Sequence, residues 1–173
     1  MSKQNKQQHQ THPFPPLFDK DSRILILGSF PSVKSREAHF FYGHPQNRFW
    51  KLMGMLFPDH LGATETPRTI EEKTMLMQQN HIALWDTIAS CEITGSSDSS
   101  ITNVVANDLR PILKQADILQ IYCNGKASHR LYMKYCEPLT HRDAILLPST
   151  SPANTAWSLD RLYESWQQIR EYL

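Results

Sequence analysis

Four short, almost uninterrupted apolar runs most constrain how this chain folds: residues 23–27 (RILIL), 81–85 (HIALW), 118–123 (ILQIYC) and 144–147 (AILL). Runs of this length, without alternation, suit strands buried on both faces of a parallel sheet. Each stops at a residue that changes the backbone or carries chemistry: Gly28, Asp86, Asn124-Gly125 and Pro148. Helical patterns fill the intervals. Residues 47–57 place Phe49, Trp50, Met53 and Leu56 on one face, and residues 69–79 open with Thr-x-x-Glu, a capping box. Further helices are expected over residues 104–115, 126–135 and 157–173. Alternation of this kind gives an α/β fold with a short, mostly parallel four-stranded sheet and helices on both faces. Ligands bind such sheets beyond the C-terminal ends of the strands. The polar, Gly- and Pro-containing segments follow all four runs, so they gather at that edge.

With 173 residues, of which 40% are hydrophobic, the chain has material for one core. One domain is expected over residues 21–173. Residues 1–12 are polar and aperiodic and are expected to be disordered. Pro13, Pro15 and Pro16, with Phe14, Leu17 and Phe18, predict an extended arm lying on the body. No stretch approaches a membrane span, and the N-terminus has no secretory apolar region. A soluble, cytoplasmic protein is the resulting expectation. The three cysteines include no CxxC pair and the eight histidines no HxH or HxxxH, so neither a disulfide framework nor a metal is expected, and no cofactor. A net charge of +1 predicts only modest non-specific affinity for nucleic acid. What matters for such a partner is the charge around the site.

Four segments carry candidate chemistry. Gly28-Ser29-Phe30-Pro31-Ser32 leaves the first run, where glycine permits a close backbone approach; the pattern is common, and a plain turn is its simpler explanation. Residues 40–50 hold five aromatics, Phe40, Phe41, Tyr42, Phe49 and Trp50, interrupted by Gly43-His44-Pro45-Gln46-Asn47-Arg48. An exposed aromatic loop suits stacking on an extruded base, and Asn47 stands where a helix cap would. Phe49 and Trp50 suit the core. Pro148-Ser149-Thr150-Ser151-Pro152-Ala153-Asn154 is a stiff loop with small hydroxyl donors, either a phosphate contact or a simple connection. Asp86-Thr87 and the Ser-rich stretch around Asp98 form the fourth, with Asp98 placed to bond a neighbouring loop.

The order strand–GSFPS, HPQNRFW, strand–LPSTSPAN resembles the uracil-DNA glycosylase superfamily, most closely its hypoxanthine-DNA glycosylase branch. The resemblance runs from about Arg23 to the C-terminal helix. It implies a three-layer α/β/α sandwich and a monofunctional glycosylase without metal or covalent lysine intermediate. Its partner would be double-stranded DNA containing a deaminated base, with the chain acting as a monomer. It implies that Asn47 is catalytic, by orienting water or bonding the leaving base. Gly28, Ser29, Phe30, Pro31, Phe41 and Tyr42 would bind the base, with Phe30 and Phe41 or Tyr42 as a sandwich. Ser149, Thr150, Ser151, Pro152, Ala153 and Asn154, with Lys126, would contact DNA. Two positions depart from the mismatch-specific branch: Phe30 stands where those enzymes carry a water-placing Asn, and Ser32 replaces a second glycine. A G/U mismatch-specific uracil glycosylase and an inactive DNA-binding relative are the competing readings. Phosphate loops (GxGxxG, GxxxxGK[ST]) and the GxSxG esterase elbow are absent, which removes the small-molecule alternatives.

Overall fold

The computed structural model describes residues 6–58 and 66–173. Four strands form the expected parallel sheet: β2 (Ile24–Gly28), β3 (Ile82–Asp86), β6 (Gln120–Asn124) and β7 (Ala144–Leu147), in the order β3-β2-β6-β7. Every residue of β2 and β3 is buried, which is why their sequences run apolar without alternation. The chain steps from β2 to β3 and then crosses back to place β6 on the other side of β2. That reversal is a topological switch point, where the loops leaving neighbouring strands diverge and open a crevice.

Seven helices accompany the sheet among the described residues: α1 (Val33–Ala38), α2 (Phe49–Leu56), α3 (Ile70–Gln79), α4 (Arg110–Gln115), α5 (Lys126–Leu131), α6 (Glu137–Thr140) and α7 (Leu159–Trp166). The capping box at α3 forms as expected, with Thr69 and Glu72 satisfying each other's backbone N–H groups. Phe49, Trp50, Leu52, Met53 and Leu56 of α2 are buried, as are Leu162 and Trp166 of α7. The helix expected over residues 126–135 changes at Tyr132 into a wider turn through Cys136, and α7 tightens after Trp166.

A second sheet departs from the sequence expectation. β1 (Gln8–Thr11), β4 (Ile88–Ile93) and β5 (Thr102–Ala106) form an antiparallel ribbon in the order β1-β4-β5. Part of the segment expected to be disordered is therefore a strand, and residues 1–5 lie outside the described region. The start of the helix expected over residues 104–115 is strand too; helix begins only at Arg110, with Pro111 in its first turn. Both departures share a cause. β1 and β5 are largely exposed, so their sequences carry little periodic apolar signal, and pairing with β4 makes them strands. The arm after β1 lies on the body: Phe14 is buried and Leu17 pairs with Leu84. The ribbon has its own small core of Phe30, Ile88, Cys91, Ile93 and Leu131. All three cysteines are free and buried, and burial raises the thiols of Cys123 and Cys136 to about 12 and about 11.

Candidate active site

A cavity of about 300 Å³ opens at the C-terminal edge of the parallel sheet. Ser29 to Ser32 come from the end of β2, Asp86 from β3, Asn124 from β6 and Thr150 to Ala153 from the loop after β7. Phe41, Tyr42 and Asn47 complete the wall.

The best-determined group is Asn47. Its Oδ1 accepts from the Phe49 N–H at 3.0 Å and from the Thr150 hydroxyl at 2.9 Å. Because a backbone N–H can only donate, the oxygen of the amide is fixed on that side. Thr150 has no exposed surface, and its N–H donates to Asn124 Oδ1 at 3.0 Å. The Asn124 amide nitrogen therefore donates to Thr150 Oγ1, also at 3.0 Å, and the Thr150 proton is left for Asn47. This one-way relay leaves the Asn47 NH2, with two donors, free of partners among the described residues. Capping and site positioning are thus one arrangement: Asn47 caps the backbone just before α2 and its other end stays available. Thr150, expected among the DNA contacts, is instead committed inside the protein through both its N–H and its hydroxyl.

Arg48 ties the two motifs together. Its guanidinium donates to the carbonyls of Ser151 at 2.9 Å, Asn154 at 3.1 Å and Thr150 at 3.4 Å, and also to that of Trp157. A planar fork with five donors can bridge several carbonyls of one loop. Within the loop, Ser149 Oγ accepts from the Ser151 N–H and Ser151 Oγ from the Ala153 N–H, which keeps both hydroxyl protons free. Gly125 has a φ of +99°, and an added Cβ would sit 3.0 Å from Ser149 Cβ, so glycine lets the loop close against the start of α5. Ser149, Asn154 and Lys126 do not reach the cavity. They border an adjoining groove of about 690 Å³ that shares Asp98, Ser151 and Ala153 with it.

The aromatic segment folds inward rather than standing exposed. Phe41 is buried against Phe14 at 4.9 Å, and Phe40 stacks on Trp50 at 6.0 Å. Tyr42 has a left-handed backbone (φ 52°) that lays its ring on Phe49 at 4.0 Å. Phe30 is 7% exposed and packs into the ribbon core, showing the cavity little of its surface. The backbone N–H groups of Ser29, Phe30 and Ser32 take no partner among the described residues, so the first loop walls the cavity with unused donors.

One carboxylate at the site carries a role that its local sequence does not announce. Asp86 is 5% exposed at the cavity floor, and its Oδ2 lies 2.7 Å from Nε2 of His12, 74 positions away. The second oxygen, Oδ1, has no partner among the described residues. A Cβ on Gly28 would be 2.3 Å from it, so the close approach at Gly28 is made by this side chain. The local signal was an acidic residue ending an otherwise apolar, buried strand. Asp98 bonds the Ser29 hydroxyl at 2.8 Å; desolvation and the nearby Asp86 raise its pKa, against the pull of that bond. Burial, with the Asp86 charge, pushes the Tyr42 phenol well up, so it stays neutral.

A sequence model of the uracil DNA glycosylase superfamily matches residues 15–173. A hypoxanthine DNA glycosylase of Methanosarcina acetivorans is 32% identical over 160 residues, covering 90% of this chain and 95% of that one. A protein of the same description from Methanosarcina barkeri is 33% identical over 142 residues, covering 82% and 86%. The solution NMR structure of an M. acetivorans protein assigned provisionally as a uracil DNA glycosylase superposes with a TM-score of 0.75 at 30% identity, over 91% of this chain and 94% of the other.

Proposed function

The chain belongs to the uracil DNA glycosylase superfamily, and from that premise and the cavity's geometry we propose that it excises hypoxanthine from double-stranded DNA by hydrolysing the N-glycosidic bond. The observation that carries this reading is the Asn47 relay. Cleavage pushes negative charge onto the departing base while the sugar becomes oxocarbenium-like. A preorganised donor aimed at that charge lowers the barrier without reorganising at the moment of reaction. An amide is no general base. Asn47, with its oxygen occupied and its NH2 free, acts by stabilising the leaving base.

The remaining residues divide the work by position. Unused N–H groups of the first loop meet the base's acceptors, and Phe41 and Tyr42 bound its faces. Ser149 and Ser151 offer hydroxyl protons, and Lys126 a cation, to the DNA backbone beside the adjoining groove. Water adds its oxygen to C1′ as the base leaves, and the flanking phosphates supply negative charge to the cationic sugar. The names of the relatives support hypoxanthine as the base. Among the described residues no helix is long and apolar enough to cross a membrane.

Incubation with a duplex containing one deoxyinosine, followed by alkali to break abasic strands, tests the reading. The expected result is a break at the inosine position, faster than at uracil opposite guanine. An intact strand from folded protein refutes it, and faster cleavage at uracil in every context moves the chain to another branch.

A further inference from the structure

Asp86 and His12 form a buried couple that the chemistry above leaves unused. Buried carboxylates are rare unless paired, and this one is paired through a single oxygen. His12 is gripped by Phe14 at 4.5 Å and Trp85 at 4.3 Å, and its buried Nδ1 has no partner among the described residues. Among the described residues, the ring's one hydrogen bond is the one that fixes Oδ2. The free Oδ1 and the Tyr42 hydroxyl converge above Gly28, where an added Cβ would meet them at 2.3 Å and 3.5 Å. That hydroxyl also has no hydrogen-bond partner among the described residues. The fold thus omits a side chain at Gly28, anchors a carboxylate from the far end of the chain, and leaves one acceptor oxygen uncommitted at the cavity floor.

We propose that Asp86, positioned by His12, accepts the N1–H of the extruded base and is the group by which the cavity tells hypoxanthine from adenine. This rests on the glycosylase reading above. Hypoxanthine presents an N–H donor at N1 beside a carbonyl acceptor at O6. Adenine presents a bare N1 lone pair beside an amine. A carboxylate oxygen accepts from the first and opposes the lone pair of the second. O6 falls to the donors already present, the Asn47 NH2 and the loop N–H groups. A site built around a hydrogen bond discriminates strongly against the analogue that lacks it, because its own group is left unpaired. Hypoxanthine arises from adenine by deamination, so this is the discrimination that protects intact DNA.

The test is the ratio of single-turnover excision rates for hypoxanthine and adenine, each opposite the same mismatched base. In Asp86→Asn, His12 still donates to the side-chain oxygen and turns the NH2 toward the base. The hypoxanthine-to-adenine ratio is expected to fall about 10- to 100-fold, the range for one charged hydrogen bond. His12→Gln, which can still donate to Oδ2, is expected to keep the ratio within about threefold of wild type, while His12→Leu lowers it. Wild type is further expected to reject purine, which lacks both O6 and the N1–H. Equal slowing of both bases by Asp86→Asn, or an unchanged ratio, overturns the proposal. If Asp86→Asn does not fold, the two His12 variants decide: equal ratios in both overturn it. Absence of any hypoxanthine excision by wild type is a failure of the glycosylase reading itself, and is seen before any variant is made.

Discussion

Two walls of the same cavity are finished to different degrees. On the wall of Asn47, Thr150 and Asn124, braced from behind by Arg48, polar atoms are engaged in chains, and one pair of donors remains open. On the wall of Asp86, Tyr42 and the first loop, a carboxylate oxygen, a buried hydroxyl and three backbone N–H groups have no partner among the described residues. A buried polar atom without a partner costs stability, and folded proteins leave few of them. The contrast teaches a division of labour. The satisfied wall is rigid and holds one group for the bond that breaks. The unsatisfied wall keeps unspent bonding capacity for what enters.

The largest expected effect breaks the satisfied wall at its working end. Asn47→Ala is expected to slow excision by about two orders of magnitude, as when one preorganised donor is removed. Asn47→Asp sharpens the point. It keeps an oxygen for Phe49 N–H and Thr150 but replaces the NH2, so it is expected to lose comparable activity without melting earlier. Single-turnover rates on a deoxyinosine duplex beside thermal melts measure both. Retention of activity within threefold by Asn47→Asp would show that the oxygen side matters and the donors do not.

A smaller effect is expected one step behind. Arg48→Ala leaves the carbonyls of Ser151 and Asn154 without their charged donor and releases the loop after β7. Excision is expected to fall about tenfold and stability by about 2 kcal/mol, the scale of one hydrogen bond to a charged group. Arg48→Lys should not restore it, because a single ammonium cannot bridge carbonyls spread along the loop. Affinity for abasic product, measured by gel shift, should weaken alongside. Normal product affinity in a folded Arg48→Ala protein would make Arg48 a brace for the core only.

The same contrast governs what was legible in the sequence. The satisfied wall comes from contiguous motifs, HPQNRFW and LPSTSPAN, so Asn47 could be singled out from local order alone. Its partner loop was visible, but Thr150's burial was not, because nothing local says which hydroxyl of Ser149-Thr150-Ser151 turns inward. The central strands were legible because burial on both faces leaves continuous apolar runs. The unsatisfied wall depends on contacts across the chain. His12 reaches Asp86 only because Gln8–Thr11 pairs with β4, and that polar strand carries no periodic signal of its own. Gly28 was read for close approach, yet the side chain that approaches comes from β3.

The smallest expected effect tests whether the unsatisfied wall carries a standing cost. Asp98 borders both the cavity and the groove, accepts the Ser29 hydroxyl, and has its pKa raised mainly by desolvation. A carboxyl with a raised folded-state pKa binds protons more tightly in the native than in the unfolded chain. Its contribution to stability is therefore fullest below the ordinary value of 3.8 and is lost as pH rises through the raised folded value. Asp98→Asn removes the charge while its side-chain oxygen still accepts from Ser29. Relative to wild type, the variant is expected to gain melting temperature as pH climbs from about 4 toward neutrality, and then to hold that gain. The residue keeps solvent contact at the cavity mouth while its carboxyl is partly desolvated against the first loop, so screening keeps the gain below about 1 kcal/mol. Melting curves of both proteins across that range at low ionic strength supply the comparison. A variant that instead loses stability as pH rises would mean that ionised Asp98 stabilises the first loop, and this part of the second wall would then be as fully committed as the first.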